Sequence, residues 1–98
     1  MAVQVREAGG VYFVSGELDV SGAEDFRHGV LPALDTDREI VLDLSDLEFI
    51  DSMGIRSLVL FASMAEHGVV LRYPKDPVLR VLDLLEIDSL PGMRIQMH

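Results

Sequence analysis

Between Glu39 and Leu44 the chain carries Ile40, Val41 and Leu42 in an unbroken apolar run, and a few residues later Phe49-Ile50-Asp51-Ser52-Met53-Gly54 passes into helical apolar spacing. A continuous apolar run of this kind is what a strand covered on both faces shows, because neither side of its pleat meets water. Such a strand lies inside a sheet, and a helix that follows it crosses back over the sheet so that the next strand pairs in parallel. Asp51 stands where a helix N-cap belongs, and Ser52 falls on the first turn, near backbone N–H groups without intrahelical partners. The helix is expected to run to about Glu66, with Gly68 closing it near its C-cap.

The rest of the chain fits the same plan. Val3 and Val5 alternate with Gln4 and Arg6, and Gly9-Gly10 supplies a two-residue turn into Val11-Tyr12-Phe13-Val14, the pattern of a β-hairpin. Gly16-Glu17-Leu18-Asp19 closes the second strand. Ser21-Gly22-Ala23-Glu24 has the form of a capping box, so a helix is expected from about Gly22, with Ala23, Phe26, Arg27, Val30 and Leu31 at spacing three and four and Pro32 near its weak end. Asp35-Thr36-Asp37-Arg38 is a polar loop. Val69 to Tyr73 predicts a further strand; Asp76 an N-cap with Pro77 at the first helical position; Val78, Val81, Leu82 and Leu85 the core face of a third helix; and Met93 to Met97 a short edge strand. The order β-β-α-β-α-β-α-β describes an α/β fold, a mixed β-sheet of four to five strands with helices packed against it, in a single domain over residues 1–98. In a parallel sheet, strand C-termini and helix N-termini share one side, so Asp19, Asp51 and Ser52 are expected at one end of the molecule.

Charge narrows the function. Eight Lys plus Arg face 17 Asp plus Glu, a formal charge of −9, and the basic residues are scattered singly. Duplex nucleic acid needs a clustered basic footprint, so direct nucleic-acid binding is not expected, and anionic membranes are disfavoured for the same reason. The start, Met1 to Glu7, lacks the basic and apolar regions of a secretory leader, no apolar run approaches bilayer length, and there is no cysteine, so a cytoplasmic protein without membrane insertion is expected.

Three features together carry a family resemblance. Gly16-Glu17-Leu18-Asp19 ends a strand, Val41-Leu42-Asp43-Leu44 precedes Phe49-Ile50-Asp51-Ser52-Met53-Gly54, and Pro77-Val78-Leu79-Arg80-Val81-Leu82 follows another strand. From about Val3 to Ile95 the chain resembles the STAS domain, the fold of sulfate transporter C-termini and of bacterial anti-sigma factor antagonists. In the antagonists, the serine of Asp-Ser-x-Gly is phosphorylated by a partner that is both anti-sigma factor and ATPase-type serine kinase. The resemblance implies that Ser52 is the phosphosite, with Asp19, Asp51 and Gly54 around it. The unmodified protein would bind that partner and release a sigma factor, phosphorylation would weaken binding, and a protein phosphatase would restore it. Two departures from the family pattern are expected to bear on partner choice: Met53 stands where the family often has a small residue, and the further helix that ends many STAS domains is not expected after the strand-like run to Met97-His98.

Each residue also has a plainer reading. Asp51 and Ser52 are the residue types of an ordinary helix N-cap. Gly54 disfavours a helix by roughly 1 kcal/mol against Ala, which points either to close approach of another backbone or partner, or to flexibility alone. On the Ser52 helix, Ile55, Leu58, Val59, Ala62 and Ala65 form the expected core stripe. Met53, Leu60 and Met64 gather opposite it with Arg56 and Ser57 flanking, which reads as a partner-docking patch or as a face covered in part by a neighbouring helix. An enzyme is not expected. His28, His67 and His98 lack metal-ligand spacing, and there is no Gly-x-Ser-x-Gly elbow or phosphate-cradling Gly-x-x-x-x-Gly-Lys-Ser loop, so any kinase activity belongs to another protein and neither cofactor nor metal is expected. The alternative role is a STAS subunit docking on the ATPase of a lipid-transport ABC assembly. A small-molecule or nucleotide sensor would need a pocket. The sequence leaves oligomeric state open.

Overall fold

In a computed structural model, which describes residues 3–98, the chain forms one five-stranded sheet in the order β1-β2-β3-β4-β5. Met1 and Ala2, the first residues of the stretch read as lacking a leader, lie outside the described residues. β1 (Gln4–Ala8) and β2 (Val11–Leu18) form the expected antiparallel hairpin, with Ala8 opposite Val11. Gly9 and Gly10 both have positive φ, 59° and 84°, as a turn matched to strand twist requires. From β2 onward, β3 (Ile40–Ile50), β4 (Val69–Arg72) and β5 (Met93–Gln96) are all parallel. They are joined through α1 (Ala23–Val30), α2 (Ser52–Met64) and α3 (Asp76–Leu84).

The three crossovers step the same way across the sheet, and the right-handed sense of parallel crossovers sets all three helices on one face. One core fills that interface, with Leu42, Leu44, Leu47 and Leu71 from the sheet against Phe26, Val30, Ile55, Leu58, Phe61, Val78 and Leu82 from the helices. The expectation that the central strand is covered by helices on both faces therefore needs correcting. Ile40, Leu42 and Leu44 meet the helices, whereas Val41 and Asp43 point to the open face. Asp43 is nonetheless buried there, because Arg72 from β4 lies over it (2.9 Å) and above the Phe13 ring, 5.9 Å from its centroid.

β3 is also longer than expected, since it continues through the polar residues Ser45, Asp46 and Glu48 to Ile50. Its register against β2 shifts between Phe13 and Ser15 and again between Gly16 and Glu17. At the first shift the Asp43 carboxylate accepts bonds from the Ser45 N–H (2.9 Å) and hydroxyl (2.6 Å). These irregularities turn Leu47 and Ile50 back into the core and carry the strand far enough to deliver Asp51 beside the end of β2.

Several boundaries differ from expectation. Ser21 and Glu24 form no capping box; α1 starts at Ala23 after Gly22, without a side-chain cap. Leu31 belongs to a 3₁₀ turn, Leu31–Asp35, and is exposed. α2 stops at Met64, with Gly68 (φ 89°) bonded back to the Ala65 carbonyl. α3 begins one residue early, with Lys75 at its N-cap, Asp76 inside the helix and no side-chain cap. Leu85 is exposed because Glu86 turns the chain with φ 51°, and Ile87 from the following 3₁₀ turn is buried in the core.

Candidate functional site

The candidate site is the junction where β2 and β3 end side by side and α2 begins. Leu18 pairs with Ile50, and the Asp51 N–H donates to the Leu18 carbonyl at 3.3 Å. Asp51 is extended (φ −119°, ψ −171°), and its carboxylate accepts from the Gly54 N–H at 2.9 Å, as the sequence predicts for an N-cap. The close approach anticipated at Gly54 is that of the Leu18 backbone: a Cβ at residue 54 would stand 2.1 Å from the Leu18 oxygen and 2.8 Å from Ile50 Cγ1. Only glycine lets α2 start this near the end of β2.

Asp19 follows directly on Leu18, so the sheet does bring its backbone to the same end. Its carboxylate, however, serves its own loop, accepting from the Ser21 hydroxyl (2.7 Å) and from the Ser21 and Gly22 N–H groups (both 3.0 Å). The Ser21 hydroxyl, together with the Gly22 and Ser21 N–H groups, holds the Asp19 carboxyl below its ordinary range. Asp19 thus ties up the Ser21 hydroxyl in the loop before α1 and leaves the helix without a side-chain cap. Glu24, freed from capping, pairs with Arg27 (2.6 Å) and His28 (3.0 Å), and these bonds lower its pKa.

Ser52 occupies the first helical position and is exposed, and its hydroxyl has no hydrogen-bond partner among the described residues. Along α2 from it, Met53, Leu60 and Met64 are exposed by 42%, 52% and 52%. Arg56 is exposed, and Ser57 is half-buried with its hydroxyl donating to the Met53 carbonyl at 3.1 Å. α1 flanks this stripe without covering it. Between the two helices lies a small groove of about 140 Å³, lined by Phe26, Arg27, Ser57, Leu60, Phe61 and Met64 among others.

Two features were not anticipated. Phe61, left off the expected core stripe, is buried edge-on against Phe26, with centroids 6.2 Å apart. Because α1 packs there, the buried face of α2 is Gly54, Ile55, Leu58 and Phe61, with Val59, Ala62 and Ala65 only partly covered. Secondly, Phe49, Ile50, Pro77, Arg80, Val81 and Leu84 line an apolar groove of about 320 Å³ between the end of β3 and α3. Leu84, an apolar residue off the expected core stripe of α3, was the available signal for exposed apolar surface there. Among the described residues no group of three or more His, Asp or Glu could hold a metal, and no helix is long and apolar enough to cross a membrane.

The family described as the STAS domain matches residues 1–98. The chain belongs to the STAS domain family. This STAS domain matches an anti-sigma factor antagonist from Mycobacterium paratuberculosis at 25% identity and TM-score 0.73, over 98% of this chain and 85% of that one. It matches the anti-sigma factor antagonist SpoIIAA, in its unphosphorylated form, at 20% identity and TM-score 0.70, over 95% of this chain and 86% of that one, which speaks to fold alone. The murine anion transporter Slc26a9 contains a similar unit, at 25% identity and TM-score 0.67, over 89% of this chain but only 15% of that one. No curated protein matches the chain. The structural neighbours thus include anti-sigma factor antagonists, and the fold is that of a binding and regulatory module.

Proposed function

We propose that this STAS domain is a cytoplasmic anti-sigma factor antagonist, binding an anti-sigma factor that is also an ATPase-type serine kinase and releasing a sigma factor for transcription. Phosphorylation of Ser52 switches it off, and a protein phosphatase restores it. The observation that carries the reading is the Asp51–Gly54 junction itself: an exposed serine without a hydrogen-bond partner among the described residues, at the start of a helix whose exposed stripe is apolar. Likeness to the Mycobacterium antagonist over almost the full chain supports it. A phosphate at Ser52 adds roughly −1.5 to −2 charges beside the Asp51 carboxylate and close to the Asp19 loop, which opposes an acidic partner surface and leaves the core untouched. Met53, Arg56, Ser57, Leu60 and Met64 form the contact face, and the polarizable methionines suit a varied apolar partner surface.

The test is incubation with the ATPase-type kinases of the same genome, mass spectrometry of the product, and binding by wild type, Ser52→Ala, Ser52→Asp and Leu60→Asp. Phosphate on Ser52 alone is expected, with binding retained by Ser52→Ala and weakened in the two acidic variants. Phosphate elsewhere, or equal binding by all four proteins, would refute the assignment. Stable co-purification with a transporter ATPase, without phosphate, would move it to the transporter-subunit role.

A further inference from the structure

Most cations of this acidic domain have a partner in the structure. Arg27, Arg72, Lys75 and Arg94 hold Glu24, Asp43, Glu48 and Glu39, and Arg6 lies over the Phe13 ring, 5.0 Å from its centroid. Arg56, like Arg38 and Arg80, has neither a carboxylate nor a ring partner among the described residues, although the sequence offers 17 acidic side chains. Its own helix explains why. Residues three and four apart are neighbours on a helix surface, and those of Arg56 are Met53, Val59, Leu60 and Ser52. Three are apolar, and the fourth is the exposed hydroxyl at the start of α2.

We infer that Arg56 is the intramolecular partner of a phosphate on Ser52, closing an i,i+4 phosphate–guanidinium pair when that serine is modified. This inference rests on Ser52 being the phosphoacceptor. An arginine presents a planar fork of donors to phosphate oxygens, and hydrogen bonds between two charged partners are about twice as strong as those between neutral groups. The pair alters what phosphorylation does to the contact face. Besides adding negative charge, it draws the free cation of the α2 stripe toward the helix start, so a partner loses an arginine and meets an anion at once. Asp51 remains occupied by the Gly54 N–H, and Asp19 by its own loop, so neither competes for Arg56 through these bonds.

The experiment does not depend on a kinase. Phosphoserine is installed at position 52 by genetically encoded incorporation in the wild-type chain and in Arg56→Gln and Arg56→Lys, and the phosphate is titrated by ³¹P NMR at low salt. A neighbouring cation favours the dianion, so Arg56→Gln is expected to raise the second phosphate pKa by about 0.3, roughly twofold in the protonation constant, with Arg56→Lys between the two. Asp51 and Asp19 oppose the dianion in all three proteins, so their contribution cancels in the comparison. The difference should shrink in 1 M salt, where exposed charges are screened. Equal titration of the three proteins at low salt would overturn the pair. Because the phosphate is built in, that result is distinct from failure of a kinase to modify Ser52, which would refute only the reading beneath it.

Discussion

Replacing Gly54 by alanine sets two effects of known size against each other. Alanine is favoured over glycine in a helix by about 1 kcal/mol, so at an unobstructed position Gly→Ala would stabilise α2. At residue 54 the added methyl would meet the Leu18 carbonyl oxygen at 2.1 Å, the Leu18 carbon at 2.9 Å and Ile50 Cγ1 at 2.8 Å. Two of these atoms are backbone, held by β2–β3 pairing, so no rotamer change relieves the contact and the helix start must move away from the strand. Overpacking of a tight site typically costs about 1–3 kcal/mol, and a backbone obstacle belongs at or beyond the upper end. After subtracting the propensity gain, a net loss of about 2 kcal/mol is expected, or a fall in Tm of about 8–16 °C for a domain of this size. Urea and thermal unfolding of Gly54→Ala measure it, with Ser63→Ala on the exposed face of the same helix as a control expected to be neutral or slightly stabilising. If Gly54→Ala is as stable as wild type, α2 does not start against the Leu18 carbonyl, and the placement of Ser52 beside the end of β2 falls with it.

Two further outcomes follow from the same contacts. Asp51→Ala removes the carboxylate that caps the Gly54 N–H and should lower stability by about 1 kcal/mol in urea unfolding, with Asp51→Asn recovering most of it. For Asp43, burial acts to raise its pKa but is outweighed by the Ser45 hydroxyl and N–H and by Arg72, so the folded value lies below the ordinary one. A depressed carboxyl contributes stability above its unfolded pKa and loses it as pH falls through the folded value. Asp43→Asn should therefore be about 2 kcal/mol less stable than wild type at pH 7, less than for a fully buried pair because Arg72 keeps some contact with water. The gap should hold down to about pH 4 and narrow below it; a gap independent of pH would mean that the carboxylate charge is not what holds Arg72.

The hairpin, the three crossovers and the N-cap at Asp51 were legible because each depends on residues within a few positions of one another: paired glycines, apolar period, a carboxylate before a helix. What escaped depends on contacts between distant segments. The capping box Ser21–Glu24 has the right residue types, but Asp19 lies two residues upstream and its carboxylate takes the Ser21 hydroxyl first. β3 was expected to end at Leu44 because Ser45, Asp46 and Glu48 break the apolar run; it continues because register shifts against β2 turn those side chains outward. Phe61 sits on the edge of an apolar helix with more than one candidate face, and only Phe26 on α1 decides which face turns inward. At the candidate site, the role of Gly54 was half legible: its misfit in a first turn signalled a close approach, and which backbone approaches is a matter of topology.

The hydrogen bonds at the junction also set what a modification there can and cannot do. Asp51 is committed to the Gly54 N–H, Gly54 to the Leu18 backbone, and Asp19 to the Ser21 and Gly22 donors, so the groups that define the motif are already used in holding α2 and α1 in place. Changing any of them perturbs the fold before it perturbs an interface. Ser52 is the exception, being exposed and with no protein hydrogen bond among the described residues to lose. A new charge on its oxygen therefore changes the surface potential at the head of the Met53–Leu60–Met64 stripe while every stabilising contact beneath persists. That division, with structural work assigned to the aspartates and glycine and none to the serine, is the condition a reversible surface switch must satisfy if the domain is to stay folded in both states.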